Sequence, residues 1–481
     1  MHSFRMAMSL AIVSLFALAA AVVADDPAPK PAPARGTTRV PPSPRKSAAE
    51  VDEHAGHDHG LPKQEAYYGD EYYPDDQAIG NIFADKPCPI CGGGGPSSRC
   101  FSPPPCCCGT LCYPGGCGRY VRADLLLWST RGMQVPTLVT TGNPASTQIP
   151  AGVINEDGSL PGNTAILFGN GLINSQGRTG GRIVFGQYLN PCWAVEGEYF
   201  ALADQQTAFR SNAAAGNGFV GIPFFDESND GLPAVFTVAP GAGGPAGSVN
   251  IDAVTRFQGA GVRVLRNLCC WEGCGPSWWD GCPVPVAKRF DFLMGYRFNR
   301  LDDSLIINQT HDILGTTRIG RDVFDTENQF NGLDLGTMLR FRRACWSLDL
   351  ITKVGIGNTR SVVLINGVAF QNGVQQTPAG SILAVSTNSG RFVNNSFTML
   401  PEIGLNVGYQ INPCWRFTTG YTLMYWCGVY RPGDQIDQHI NPNLWPPLPL
   451  QGNNAGLWPQ YPGRASDFWA QGVNFGLEAR W

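Results

Sequence analysis

The sequence predicts an all-β fold: an antiparallel up-and-down transmembrane barrel of about ten strands, with short periplasmic turns and long extracellular loops. Three observations carry this prediction. Segments of about ten residues alternate between apolar and polar side chains, the period-two signature of a strand with unlike faces. Very short and very long connections separate these segments by turns. The final nine residues form one more such segment, with Val473, Phe475, Leu477, Ala479 and Trp481 on one face and Asn474, Gly476, Glu478 and Arg480 on the other. An edge strand tipped with Trp invites aggregation in a soluble protein. A closed barrel in lipid has no edge, and its outer face must be apolar. Val473, Phe475, Leu477 and Trp481 are therefore expected to form the terminal strand that the barrel assembly machinery reads.

Residues 1–24 read as a secretory leader, with a basic start, an apolar stretch from Met6 to Ala24 and small residues before Asp25. The first Cys is Cys88, so a lipid anchor at the cleavage site is not expected. Beyond residue 24 no stretch approaches the roughly 20 apolar residues of a membrane helix. The exported chain is then expected to reach the outer membrane as a barrel or to remain a soluble secreted β-protein.

Only 15% of residues are charged, with 59 Gly, 38 Pro and 11% aromatics, which suits β-structure with long loops. The net charge of −4 and the lack of a basic stripe argue against nucleic acid as a partner. Residues 25–87 read as a disordered tail. Its Pro- and Ala-rich part is a stiff spacer, and His54, His57 and His59 with Asp58 are either a weak metal-binding patch or simply polar residues. Residues 88–119 form a Cys-rich segment holding Cys88, Cys91, Cys100, Cys106, Cys107, Cys108, Cys112 and Cys117. Export favours a disulfide knot; a zinc site through Cys88, Cys91, Cys108 and Cys112 is the alternative, and neither metal nor cofactor is assigned.

The barrel is expected over 120–481, with strands near 120–130, 181–189, 192–203, 251–266, 289–300, 327–342, 345–357, 396–411, 414–428 and 467–481. Short turns are expected at Asn190-Pro191, Arg343-Ala344 and Asn412-Pro413, and long loops near 131–180, 204–250, 301–326, 358–395 and 429–466. The run around Asn366-Gly367 has the strongest two-residue hairpin signal, so twelve strands are an alternative; merging weak segments gives eight. Asn190-Pro191-Cys192-Trp193 recurs as Asn412-Pro413-Cys414-Trp415, and Cys345 occupies the third short turn. Cys269, Cys270, Cys274 and Cys282 fall in the connection 267–288. These seven cysteines gather at the expected periplasmic rim, with only Cys427 at the other end. They are expected to form disulfides with the 88–117 knot, as a plug or collar; reduced, buried thiols are the alternative.

Several runs are more specific. Arg122-Ala-Asp-Leu-Leu-Leu-Trp128, Phe324-Asp-Thr-Glu-Asn-Gln-Phe-Asn-Gly332, Arg431-Pro-Gly-Asp-Gln-Ile-Asp437 and Ser466-Asp-Phe-Trp-Ala-Gln-Gly472 together resemble the putative beta-barrel porin-7 family, outer-membrane barrels of planctomycete bacteria. The resemblance covers about 120–481 and implies an outer-membrane barrel of unestablished activity.

Polar faces of the expected strands supply Arg182, Arg297, Arg340, Arg342, Lys353, Arg416 and Arg480, against Glu196, Glu198, Asp291, Asp334, Asp349, Glu402 and Glu478. Balanced signs favour internal ion pairs over a single-sign selectivity field. Aqueous channels generally need about 16 strands, so the expectation is a porin-like barrel with a narrow or plugged lumen. The alternative is a structural or adhesive surface protein, linked to the cell wall or to itself by disulfides. No catalytic constellation is found: His311 and His439 are the histidines of the barrel half, both in expected loops. Asp434 and Asp437 with Asp302 and Asp303 lack calcium-ligand spacing. An enzyme is not expected. Outer-membrane lipid is the expected environment and partner.

Overall fold

The computed structural model describes residues 118–143, 151–161, 164–213, 218–241, 244–276, 283–313, 315–446 and 456–481. The expected leader and tail, and all of the Cys-rich segment before Gly118, lie outside them.

Ten antiparallel strands close a ring: β1 (Arg119–Thr130), β2 (Gly177–Asn190), β3 (Trp193–Leu202), β4 (Gly247–Pro276), β5 (Pro283–Ile313), β6 (Thr316–Arg343), β7 (Trp346–Gln371), β8 (Gly390–Gln410), β9 (Trp415–Tyr430) and β10 (Ala465–Arg480). Each pairs with its neighbours in sequence, and β10 returns to β1 with Arg480 opposite Tyr120 and Phe475 opposite Leu125. Closure leaves no edge within the ring, as a lipid-facing sheet requires.

The apolar faces point outward where the sequence alternates most cleanly. Leu125, Phe185, Met294, Leu348, Leu405, Phe417 and Phe475 are all exposed, a lipid-facing belt rather than a core. Trp193, Trp346, Tyr409, Trp415 and Trp481 rim its short-turn end, where amphipathic rings suit the membrane interface. At the opposite end Tyr199, Tyr296 and Tyr421 donate their hydroxyls to Gln258, Asn331 and Gln471 at 2.6–2.9 Å.

The short turns fall where expected. The recurring Asn-Pro-Cys-Trp run has a local cause. Asn190 Oδ1 accepts the backbone N–H groups of Cys192 and Trp193, both at 2.9 Å. Asn412 Oδ1 does the same for Cys414 and Trp415 at 3.0 and 2.9 Å. The side chain thus takes over the backbone's turn bonds while Pro fixes φ. At the third turn Ala344 adopts φ +52°.

Several expected loops are instead strand. The segment 301–326 is a continuous hairpin, with Leu301 opposite Asn328 and Ile313 opposite Thr316. The connection 267–288 is likewise paired from a bulge at Asn267/Cys269 out to Pro276 and Pro283. Asn366-Gly367 is not a turn: it pairs with Val323 and Asp322 in mid-strand. The chain reverses six residues later at Asn372-Gly373, with φ of +49° and +80°. Gly367 serves close approach, because a Cβ there would collide with the Ala384 carbonyl. The hairpin therefore adds no crossing, and the ring count is ten rather than twelve.

Above the tyrosines the apolar face switches sides. Phe292, Met294 and Tyr296 point out, whereas Leu301, Leu305 and Ile307 on the same strand are buried and point in. Phe324, Val363, Ile365, Val249 and Ile251 follow the same rule. They pack with Met133, Val135, Leu138, Ile222, Ile382 and Leu383 from the connecting segments into one core. Lipid outside the lower wall and water outside the upper wall explain the reversal.

Candidate lumen site

Inside the lower wall, the residues expected in the lumen meet as interlocked ion pairs. Arg182 Nε lies 2.6 Å from Asp124. Arg263 contacts Glu196 at 2.7 Å and Glu198 at 2.9 Å, and Tyr120 donates its hydroxyl to Glu196. Lys353 bridges Glu198 and Glu402 at 3.2 and 3.0 Å. Arg297 reaches Glu402 and also Asp334, the latter at 3.5 Å. Nearer the short turns Asp349 lies between Arg340 at 3.3 Å and Arg416 at 2.8 Å. Glu478 lies 3.6 Å from Arg416 and 2.5 Å from Arg480. Asp291 pairs with Arg289 at 2.8 Å, and Arg342 stands opposite Ser347 in the β6–β7 register.

Sequence reasoning missed Arg122, Asp124, Arg263 and Arg289, which are half-buried or buried in this layer. Their signal was the parity of β1, β4 and β5: on β1, for instance, Arg122 and Asp124 are out of phase with the outward Leu125 and Leu127, and so face the lumen. These ions are desolvated. Arg416 is 2% exposed and Asp349 3%. Deleting one member of such a pair strands the other charge.

Above the ions comes an apolar layer. Leu126, Trp128, Phe200, Phe257, Leu301, Phe330, Leu400, Met424, Trp426 and Phe468 form one buried cluster. Their rings meet at 4.9 Å between Phe257 and Phe468, and at 5.3 Å between Phe200 and Phe257. Both indoles are satisfied: Trp128 Nε1 donates to Asn474 at 2.7 Å and Trp426 Nε1 to Thr359 at 3.0 Å.

A further pair caps this layer. Arg431 grips Asp303 with Nε and Nη2 at 2.9 and 3.0 Å, and its Nη1 donates to the Arg131 carbonyl at 2.8 Å. Thr255 Oγ1 adds a bond to Asp303 at 2.6 Å. Asp303 is thus taken by a guanidinium. Gly433 follows because a Cβ would strike the Gln134 carbonyl. Arg431 and Gly433 of the Arg431-Pro-Gly-Asp-Gln run thus each have a physical reason.

At the long-loop end His439 Nδ1 lies 2.6 Å from Glu227 Oε1, and its backbone N–H donates to Asp437. Glu227 was not foreseen as its partner. His311 is buried edge-on to Phe236, their centroids 5.0 Å apart, and burial lowers its pKa to about 4. The expected partners of the rim cysteines, in 88–117, lie outside the described residues. No disulfide among the described residues joins Cys192, Cys269, Cys345 or Cys414, whereas Cys270 is disulfide-bonded. The Asn-capped turns explain the recurring motif without invoking crosslinks.

The sequence from 120 to 481 matches the family described as "Putative beta barrel porin-7". The chain belongs to that family. No curated protein sequence matches it. Among solved structures it resembles the outer membrane protease OmpT of Escherichia coli, with 11% identity, a TM-score of 0.37, and 76% of this chain and 97% of that one covered. It also resembles the P. putida toluene transporter TodX, at 7% identity, TM-score 0.16, and 76% and 90% coverage. An anion-selective porin from Comamonas acidovorans aligns at 9% identity and TM-score 0.09, covering 75% and 100%. At these scores none of the three likenesses bears on what the chain does. Family and fold together make it a porin-like outer-membrane β-barrel.

Proposed function

We propose that this outer-membrane barrel is not an open diffusion pore but has a lumen closed across its middle by the aromatic layer. The observation that carries the reading is the burial of Trp128 and Trp426, at 1% and 0% exposure, between an ion-paired layer below and the Arg431–Asp303 pair above. The short turns then face the periplasm and the upper core faces outward. The Val473–Trp481 strand serves the assembly machinery, and no catalytic reaction is assigned. Conductance of purified, folded protein in liposomes tests this. Wild type is expected to be silent or to give only small steps, and Trp128→Ala with Trp426→Ala to raise conductance. Large, steady wild-type channels refute it.

A structural role is the second reading. The exposed thiols of Cys192 and Cys269 favour it, because they lie at the rim where a neighbouring copy or a wall component could be crosslinked. Silence of both wild type and the aromatic variant, with disulfide-linked multimers on non-reducing gels, distinguishes it.

A further inference from the structure

Just above the tyrosine girdle, the outer wall changes from apolar to charged. Arg300 follows Tyr296 by four residues on β5, with its guanidinium 2.8 Å from Asp302 and 3.2 Å from Glu327. Beside it the wall bends into a recess of about 430 Å³ that crosses five strands, from β4 to β8. Arg256, Arg300 and Arg391 line it on the basic side, and Asp302, Asp325 and Glu327 on the acidic side. Val362 and Leu364 form an apolar floor. Arg256 is held 2.8 Å from Asp204, whereas Arg391 is exposed. Below Arg391, on the same outward face of β8, come Val393, Phe397 and Met399, exposed to 44%, 75% and 48%. Their β7 neighbours in register are Val362, Asn358 and Ile356. One outer surface therefore has a charged recess just above the tyrosine girdle and, below it on β8, the apolar residues Val393, Phe397 and Met399, broken once by the exposed Asn395.

We propose that this surface binds one phosphorylated glycolipid of the outer leaflet. Arginines suit phosphate, because planar guanidinium donors match its oxygens bidentately. The adjacent carboxylates of Asp302, Asp325 and Glu327 suit sugar hydroxyls, which donate to them. The stripe from Val393 to Met399 takes an acyl chain, and its burial there adds the hydrophobic share of the affinity. A simple phospholipid would use the arginines and the stripe but leave the carboxylates facing its phosphate. The mixed signs therefore favour a headgroup with both phosphate and hydroxyls. The inference rests on the outer-membrane reading but not on whether the lumen conducts, so the two tests fail separately.

The full chain, purified and folded in detergent micelles, is titrated by native mass spectrometry with a bis-phosphorylated disaccharide glycolipid. The same lipid without phosphates and inorganic phosphate serve as further probes. One bound glycolipid is expected, with affinity falling about tenfold for each lost phosphate contact. Arg391→Gln with Arg256→Gln is expected to weaken it by about a hundredfold on the same basis. Phe397→Ala is expected to weaken lipid binding without changing the response to inorganic phosphate. Heat-modifiable gel migration confirms that each variant is folded. Equal binding of the dephosphorylated lipid, or wild-type affinity in the folded double variant, overturns the proposal. Full competition by inorganic phosphate at millimolar levels also overturns it, since the recess would then be a small-anion site rather than a lipid site.

Discussion

Asp322 offers the sharpest test of how the upper core holds its connecting segments. The residue is fully buried on β6. One carboxylate oxygen accepts the backbone N–H groups of Leu383 and Ala384 at 3.2 and 2.8 Å, pinning the segment from Ser381 to Val385 over the mouth. Its other oxygen is buried without a hydrogen-bond partner. Burial, only partly offset by those N–H groups, pushes its pKa from 3.8 up to about 7. The raised value means that the closed segment holds its proton more tightly than an open, solvated one. Closure is therefore most stable below about pH 4, weakens as pH rises, and is weakest above about pH 7. A shift of about three pKa units corresponds to on the order of 4 kcal/mol, or about a thousandfold in the opening equilibrium. Asp322→Asn keeps an acceptor for both N–H groups and removes the charge. Hydrogen–deuterium exchange of the 380–388 peptide, corrected for intrinsic base catalysis, reads the opening directly. Wild-type protection is expected to fall between pH 4 and pH 8 and that of Asp322→Asn to stay level. Identical curves for the two proteins would refute the reasoning.

Three other outcomes are expected. Arg416→Ala leaves Asp349 and Glu478 buried beside a lost cation and should cost roughly 3–5 kcal/mol, read as a lower urea midpoint for loss of heat-modifiable migration. Asn412→Ala removes both acceptor contacts at its turn and should cost about 1 kcal/mol, with Asn190→Ala alike and the pair additive, measured by the same midpoint. Trp128→Ala opens a cavity in the aromatic layer and should cost roughly 3–5 kcal/mol; the conductance measurement shows whether that cavity becomes a path.

Much of the lower barrel is legible in the sequence because lipid imposes one simple demand on it. Every lipid-facing residue must be apolar, and its neighbours in sequence face a polar interior, so Phe290 to Phe298 and Trp346 to Ile356 announce themselves by alternation. The hairpins above were harder to read. There the apolar face has moved inside, as at Leu301, Leu305 and Ile307, and a reader following one parity sees the pattern dissolve into a loop. The reversal itself was the missed signal. Asn366-Gly367 misled for a related reason: turn propensity is local, whereas pairing with Asp322 and Val323 is decided across strands. In the repeated Asn-Pro-Cys-Trp run the residues making the turns are Asn190 and Asn412, a role that the Cys-centred reading of the repeat passed over.

By itself the sequence determined the strand class, the outward belt and a terminal strand made for it, because a period of two records which side of each residue meets lipid. The count of ten among eight, ten and twelve was settled by the pairing around Asn366-Gly367. The tertiary structure alone decided which charges meet: Arg297 finds Glu402 across the lumen and Arg431 finds Asp303 from a distant segment. It also decided that Trp128, Trp426 and Phe468 share one layer. Alternation places a side chain inside the ring, but strand tilt and register place it at a height, and only residues at one height from different strands can touch.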